Sequence, residues 1–335
     1  SQAGAEIIRR GGNAVDAAVA MGFVLAVTLP RAGNIGGDGF MLVHDAATGH
    51  NVIFDFRSVA PRSATLAMFL DNQGREAAVA TRGYRAPAVP GTVAGLYMAH
   101  QRYGRLRWAD VVAPAIAMAR DGVRLTPDEA FVFGWGQERL STSVAARSTF
   151  YKPDGSLYRA GEVLRQPELA WTLRQIARHG ADGFYRGPVA QRIAADMAAN
   201  GGLITLEDLA AYRAAERQPL RGTYRGLEVV TAPPASAGGA TLLNMLNILE
   251  HFDLAQSGAG SAQSLHIMAE AMKLGYLDRY RFLGDTDFVT TPLAGFISKS
   301  YAAERARLIN PAMATSVVQL SLIHISEPTR QAEIS

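Results

Sequence analysis

The stretch AVDAAVAMGFVLAVTL (Ala14 to Leu29) is apolar on nearly every side of a helical wheel. A surface helix keeps a polar face toward water, so a helix without one has to be enclosed by other elements. Asn13 stands where an N-cap would and Pro30 follows the end, so both boundaries are marked. The run falls short of the roughly 20 residues a membrane span requires and carries Asp16 near its start, so it reads as a core helix. After a glycine-rich passage, FMLVHD and NVIFDFR alternate as strands and are joined by the turn-rich AATGH, which predicts a hairpin.

Around this pair the chain reads mostly as helices. SQAGAEIIRRGG is a short helix stopped by Gly11 and Gly12. GTVAGLYMAHQRYG and WADVVAPAIAMARDG follow, the second with Val111, Val112, Ala115, Ile116 and Ala119 on one face. Thr126, Pro127 and Glu129 form a capping-box start. Pro167 to His179 and Pro188 to Asn200 open on proline, the second with a Val189, Ile193, Met197 stripe. LEVVTAPP is a strand, ASAGG a turn, ATLLNMLNILEHF a buried helix and AQSLHIMAEAMKLGYLDRYRF a long one, with Met268 and Met272 in its core stripe. Hairpin strands flanked by apolar helices indicate layered α and β elements rather than alternating βαβ units.

Composition excludes several classes. Lys and Arg exceed Asp and Glu by 33 − 30 = 3, with no cluster, which argues against nucleic acid as a partner. The absence of cysteine removes disulfides, thiol nucleophiles and Cys-based zinc sites together. No cofactor or metal is expected. His266 and Glu270 lie one helical turn apart, but with no third ligand they read as a surface pair. Ser236 lacks the G-x-S-x-G context of a nucleophile elbow.

The glycines at 33, 36, 37 and 39 imitate a phosphate-cradling loop. A dinucleotide fingerprint needs a strand before it and a helix after it; here the order is inverted. The glycines are read instead as a tight helix-to-strand passage against a close neighbour. PPASAGG (Pro233 to Gly239) is likewise read as a structural turn rather than an anion nest.

Taken in order, GGNAVDAAVA, GNIGGDGFM, DFRSVAP, VPGTVAG, NGGLITLEDLAAY, YRGLEVVTAPPASAGG and GDTDF resemble the large-subunit half of a γ-glutamyltransferase (γ-glutamyl transpeptidase). The resemblance runs in register from Ser1 to about Asn310. It implies an N-terminal-nucleophile hydrolase fold, an αββα sandwich of which this chain is the large-subunit half. It also implies a precursor that cleaves itself ahead of a threonine, whose new α-amine then serves as base for its own hydroxyl. The acyl-enzyme would pass a γ-glutamyl group from a glutathione-like donor to an amino acid, a peptide or water.

By position, the resemblance makes Arg57 in DFRSVAP the residue that grips the donor α-carboxylate, a task that suits a guanidinium fork. Asp55 shares its side of an extended strand and would orient it, or else stand as an exposed strand-edge carboxylate. Asp38 departs from the more glycine-rich version of its block, which loosens the assignment to glutathione-cleaving members. No catalytic residue is expected in this chain. Thr290 and Thr291 precede Pro292, Thr315 lacks a following histidine and comes too soon, and Ser1 opens a helical segment. The partner implied is the small subunit, forming a heterodimer after self-cleavage, with donor and acceptor as small-molecule partners.

The expected organisation is a γ-glutamyltransferase large-subunit region over 1–320, incomplete at both ends, and a tail over 321–335 that reads as translated sequencing adapter. Ser1 is read as internal to a longer product whose export signal lies upstream, with a periplasmic or extracellular location implied by resemblance. The chain alone is expected to be inactive, and to aggregate or order only partly, because a half-sandwich exposes strand edges and an apolar face. Two rival functions are an acylase of the same fold acting on glutaryl-type side chains and a non-catalytic relative serving as scaffold or binding module. A dinucleotide-binding enzyme is more distant.

Overall fold

The computed structural model describes residues 1–75, 77 and 81–316; the adapter-like tail lies outside them. Helices α1 (Gln2–Arg9) and α2 (Ala14–Thr28) come first, then the hairpin of β1 (Phe40–Asp45) and β2 (His50–Asp55), then α3 (Thr92–Tyr103) and α4 (Trp108–Asp121). The chain divides into two compact units. One comprises Ser1–Met41 with Phe54–Glu216; the other comprises Leu42–Ile53 with the described residues from Arg217 onward. A three-stranded sheet has the order β1, β2, then the short strand Ala215–Arg217.

In the first unit α2 is enclosed as its composition requires: Val19, Ala20, Phe23 and Val27 have no exposed surface. Asn13 caps it by accepting from the amides of Val15 and Asp16, and Asp16 returns a bond to the Asn13 amide at 2.9 Å, a full capping box. The buried Asp16 carboxylate also accepts from the amide of Arg105 at 3.0 and 3.1 Å, tying the α3–α4 connection to the start of α2. Trp108 packs edge-on to Phe23 and Tyr97, and its indole N–H donates to the Ile176 carbonyl at 2.8 Å. Of the face read for α4, Val111, Val112, Ala115 and Ala119 are fully buried and Ile116 is partly so.

The passage out of α2 explains its glycines. A Cβ on Gly33 would lie 2.6 Å from the carbonyl of Leu25, so only glycine lets the chain fold back on the end of the helix. The helix-then-strand order stands, as read.

Two local readings need correction. Thr126 Oγ1 does accept from the Glu129 amide at 3.1 Å, but the Glu129 carboxylate does not return to close the box; it lies 3.1 Å from Arg31 Nε. The strand β2 is buried on both faces from Asn51 to Asp55 rather than alternating.

In the second unit the hairpin Leu220–Tyr224 with Leu227–Thr231 pairs antiparallel, and the helix Ala237–Leu249 packs against it and against the long helix Ala262–Phe282. Ile248, Ile267, Ala271 and Leu274 form the centre of that contact. Met268 and Met272 are not part of it: they are 42% and 46% exposed, on an apolar stripe with Leu265. The helix is apolar on two sides, one of them buried against its neighbours.

Candidate functional site

All residues of the candidate site belong to the first unit. It begins where β2 ends. Past Asp55, the amide of Phe56 donates to the Gly39 carbonyl at 3.0 Å, carrying the pairing one residue further. Arg57 comes next, and both its main-chain polar groups are held. Its N–H donates to Asp55 Oδ1 at 3.0 Å, and its carbonyl accepts the Tyr212 hydroxyl at 2.8 Å.

Tyr212 is buried and stacks on Tyr185 with centroids 5.4 Å apart and planes 9° from parallel. The Tyr185 hydroxyl donates to the Pro90 carbonyl at 2.7 Å. Burial pushes both phenols well above the ordinary range, and for Tyr212 the carboxylates of Asp55 and Asp38 add to the effect. Each therefore stays protonated and serves as a hydrogen-bond donor.

Gly91 sits under this pair. A Cβ there would lie 2.0 Å from the Phe56 carbonyl oxygen and 2.1 Å from the Tyr212 hydroxyl oxygen, so no other residue fits. The amides of Gly91 and Thr92 donate to the Gly37 carbonyl at 2.8 and 3.1 Å. Asp208, capping the helix Leu206–Ala211, also accepts from the Arg62 amide at 3.1 Å. Four sequence blocks far apart in the chain, GNIGGDGFM, DFRSVAP, VPGTVAG and LEDLAAY, thus converge on the main chain around Arg57.

The Arg57 side chain is half exposed, with Nε 3.2 Å from Asp38 Oδ2. The same oxygen accepts from the Ser58 amide at 3.0 Å and from Ser58 Oγ at 2.7 Å. The result is a cation on a fixed stem, held at one edge, with a planar fork suited to a carboxylate.

The residues singled out from sequence fare differently. Arg57 lies two positions past the end of β2, not on the strand as read. Asp55 is not exposed: it is buried, and its carboxylate accepts from the Arg57 amide. Asp38 is an acidic partner of the guanidinium. Tyr212, which ends the LEDLAAY block, was given no role there although it holds the Arg57 carbonyl.

His266 and Glu270 are not a surface pair. His266 Nε2 lies 2.8 Å from the Asn310 carbonyl, while the buried Glu270 bonds Lys273 Nζ at 2.6 Å and the Thr315 amide at 3.2 Å. No group of three or more acidic, histidine or cysteine side chains that would hold a metal occurs among the described residues. Ser236 caps the helix Ala237–Leu249 through a bond from the Gly238 amide at 3.3 Å, which accounts for PPASAGG as a structural turn.

The family model for γ-glutamyltranspeptidase matches residues 1–333. The chain is 46% identical over 312 residues to the glutathione hydrolase proenzyme of Escherichia coli, covering 92% of this chain and 53% of that protein. It is 39% identical over 325 residues to an acylase ACY 1 proenzyme of a Pseudomonas species, covering 94% of this chain and 58% of that one. The chain thus spans about half the length of the curated relatives it matches. The crystal structure of Helicobacter pylori γ-glutamyltranspeptidase superposes with a TM-score of 0.92 at 42% identity, over 95% of this chain and 91% of that one. The fold is the N-terminal-nucleophile hydrolase fold expected from the sequence. The chain belongs to the γ-glutamyltranspeptidase family.

Proposed function

We propose that the protein of which this chain is a part transfers γ-glutamyl groups from glutathione-like donors to amino acids, peptides or water, and that Arg57 binds the donor's α-carboxylate. The observation that carries this reading is the Arg57 side chain itself. It is half exposed, on a main chain fixed from both sides by Asp55 and Tyr212. A guanidinium held that way meets an incoming carboxylate with little ordering left to do, which favours binding. The nucleophile is assigned to no described residue of this chain.

The test is a donor titration of the full-length, self-processed protein with a γ-glutamyl anilide, comparing Arg57 with Arg57→Lys and Arg57→Ala. A carboxylate anchor requires KM to rise steeply in both variants, because Lys lacks the fork.

A second reading keeps the fold and makes the substrate a glutaryl-type side chain. The similarity to a protein named as an acylase favours it. The two readings predict opposite donor preferences, since a glutaryl group carries the carboxylate and lacks the amine. We propose further that a second segment of the precursor covers the exposed stripe formed by Leu265, Met268 and Met272, giving a two-subunit enzyme. We also propose export, which fractionation of cells expressing the full-length gene tests.

A further inference from the structure

The Asp38 carboxylate lies beside the Arg57 guanidinium, and its two oxygens are used unequally. Oδ2 takes the Ser58 amide, the Ser58 hydroxyl and the edge of the guanidinium at Nε. Oδ1 accepts no hydrogen bond among the described residues, and the side chain is about a third exposed. Ser58 therefore tethers Asp38, and Asp38 tethers Arg57 by its inner edge, leaving the outer nitrogens of the fork to a ligand.

The charges matter as much as the geometry. Arg57 alone would present a positive site and attract any carboxylate. With Asp38 beside it the pair is close to neutral, with the two charges side by side. A glutaryl end brings one negative charge, which Asp38 repels. An amino-acid head group brings a carboxylate and an ammonium on one carbon, so it satisfies both members at once.

We propose that Asp38 is a specificity-determining residue: it positions Arg57 through Nε and selects donors with an amino-acid head group over donors with a bare carboxylate. This rests on the reading of Arg57 as the donor-carboxylate anchor. It also reverses the sense in which Asp38 was read from sequence, as loosening the assignment to glutathione-cleaving members.

The test uses the full-length, self-processed protein and two chromogenic donors, γ-glutamyl-p-nitroanilide and glutaryl-p-nitroanilide. Asp38→Asn keeps an oxygen for Ser58 and removes the charge. Its preference, the ratio of kcat/KM for the two donors, is expected to fall about tenfold or more toward glutaryl, through KM. Asp38→Glu, which keeps the charge, is expected to hold the preference. Ser58→Ala loosens the tether and is expected to weaken both donors together without changing their ratio. Self-cleavage on a denaturing gel shows that each variant folds, and Asp38→Gly replaces Asp38→Asn if the latter does not cleave. An unchanged ratio in the charge-removing variant, with Arg57→Ala abolishing use of both donors, overturns the role of Asp38 and leaves Arg57 standing. Full use of both donors by Arg57→Ala overturns the reading of Arg57, and the inference with it.

Discussion

The Tyr212 hydroxyl donates to the Arg57 carbonyl at 2.8 Å across 155 positions of sequence. This bond and the one from the Arg57 amide to Asp55 hold the residue from opposite sides of its main chain, so the side chain projects from a fixed base. The stack of Tyr212 on Tyr185, and the bond from Tyr185 to Pro90, extend that base into the buried interior of the first unit.

Tyr212→Phe keeps the stack and removes one hydrogen bond, leaving a carbonyl without its donor. A loss of about 1–2 kcal/mol in unfolding free energy is expected in a urea titration. In the full-length protein the donor KM should rise several-fold, with kcat little changed, because the base of Arg57 loosens while the reacting groups stay in place.

Gly91→Ala puts a methyl group 2.0 Å from the Phe56 carbonyl oxygen. The neighbour is main chain and cannot swing aside. A cost of about 3 kcal/mol or more is expected, read as a large drop in melting temperature and in soluble yield.

Asp208 carries a pH signature. Burial acts to raise its carboxyl, but bonds from the amides of Arg62 and Thr205 and from the Thr205 hydroxyl outweigh burial and hold it below the ordinary value of 3.8. A carboxyl depressed in the folded state stabilises it above the unfolded-state value, and that contribution disappears as pH falls through the folded value. Asp208→Asn should therefore cost about 1 kcal/mol near neutral pH, and the gap from the parent should close below about pH 4. Denaturation curves at pH 7 and pH 3 check this.

How much of this was legible before any coordinates follows from how local each feature is. The Asn13 cap, the hairpin and the prolines that open helices are set by residues within a few positions of one another. Asp55 was misread because strand alternation was carried past its end: β2 stops at Asp55, and the chain leaves the pleat before Arg57. The contact of Asp38 with Arg57 depends on the whole hairpin folding back, and no spacing rule encodes it. A 3.6-residue stripe likewise shows that the Met268–Met272 side of its helix is apolar, without showing whether anything lies against it.

The helix Ala262–Phe282 tests that last distinction. Met272→Lys, on the exposed side, should shift stability by less than about 0.5 kcal/mol and improve solubility of the chain. Leu274→Ala, two residues on and buried against Ile248 and Ile267, should cost about 2–4 kcal/mol. Paired chemical melts measure both, and similar losses would mean that the exposed stripe is packed in solution.

The most direct test of the central claim is the KM of the full-length, self-processed protein for a γ-glutamyl anilide with Arg57 replaced by alanine. A carboxylate anchor predicts a rise of at least about a hundredfold, as expected for removing a charged hydrogen-bonding partner worth nearly 3 kcal/mol or more. A variant that self-cleaves normally and keeps the parent KM would contradict the account.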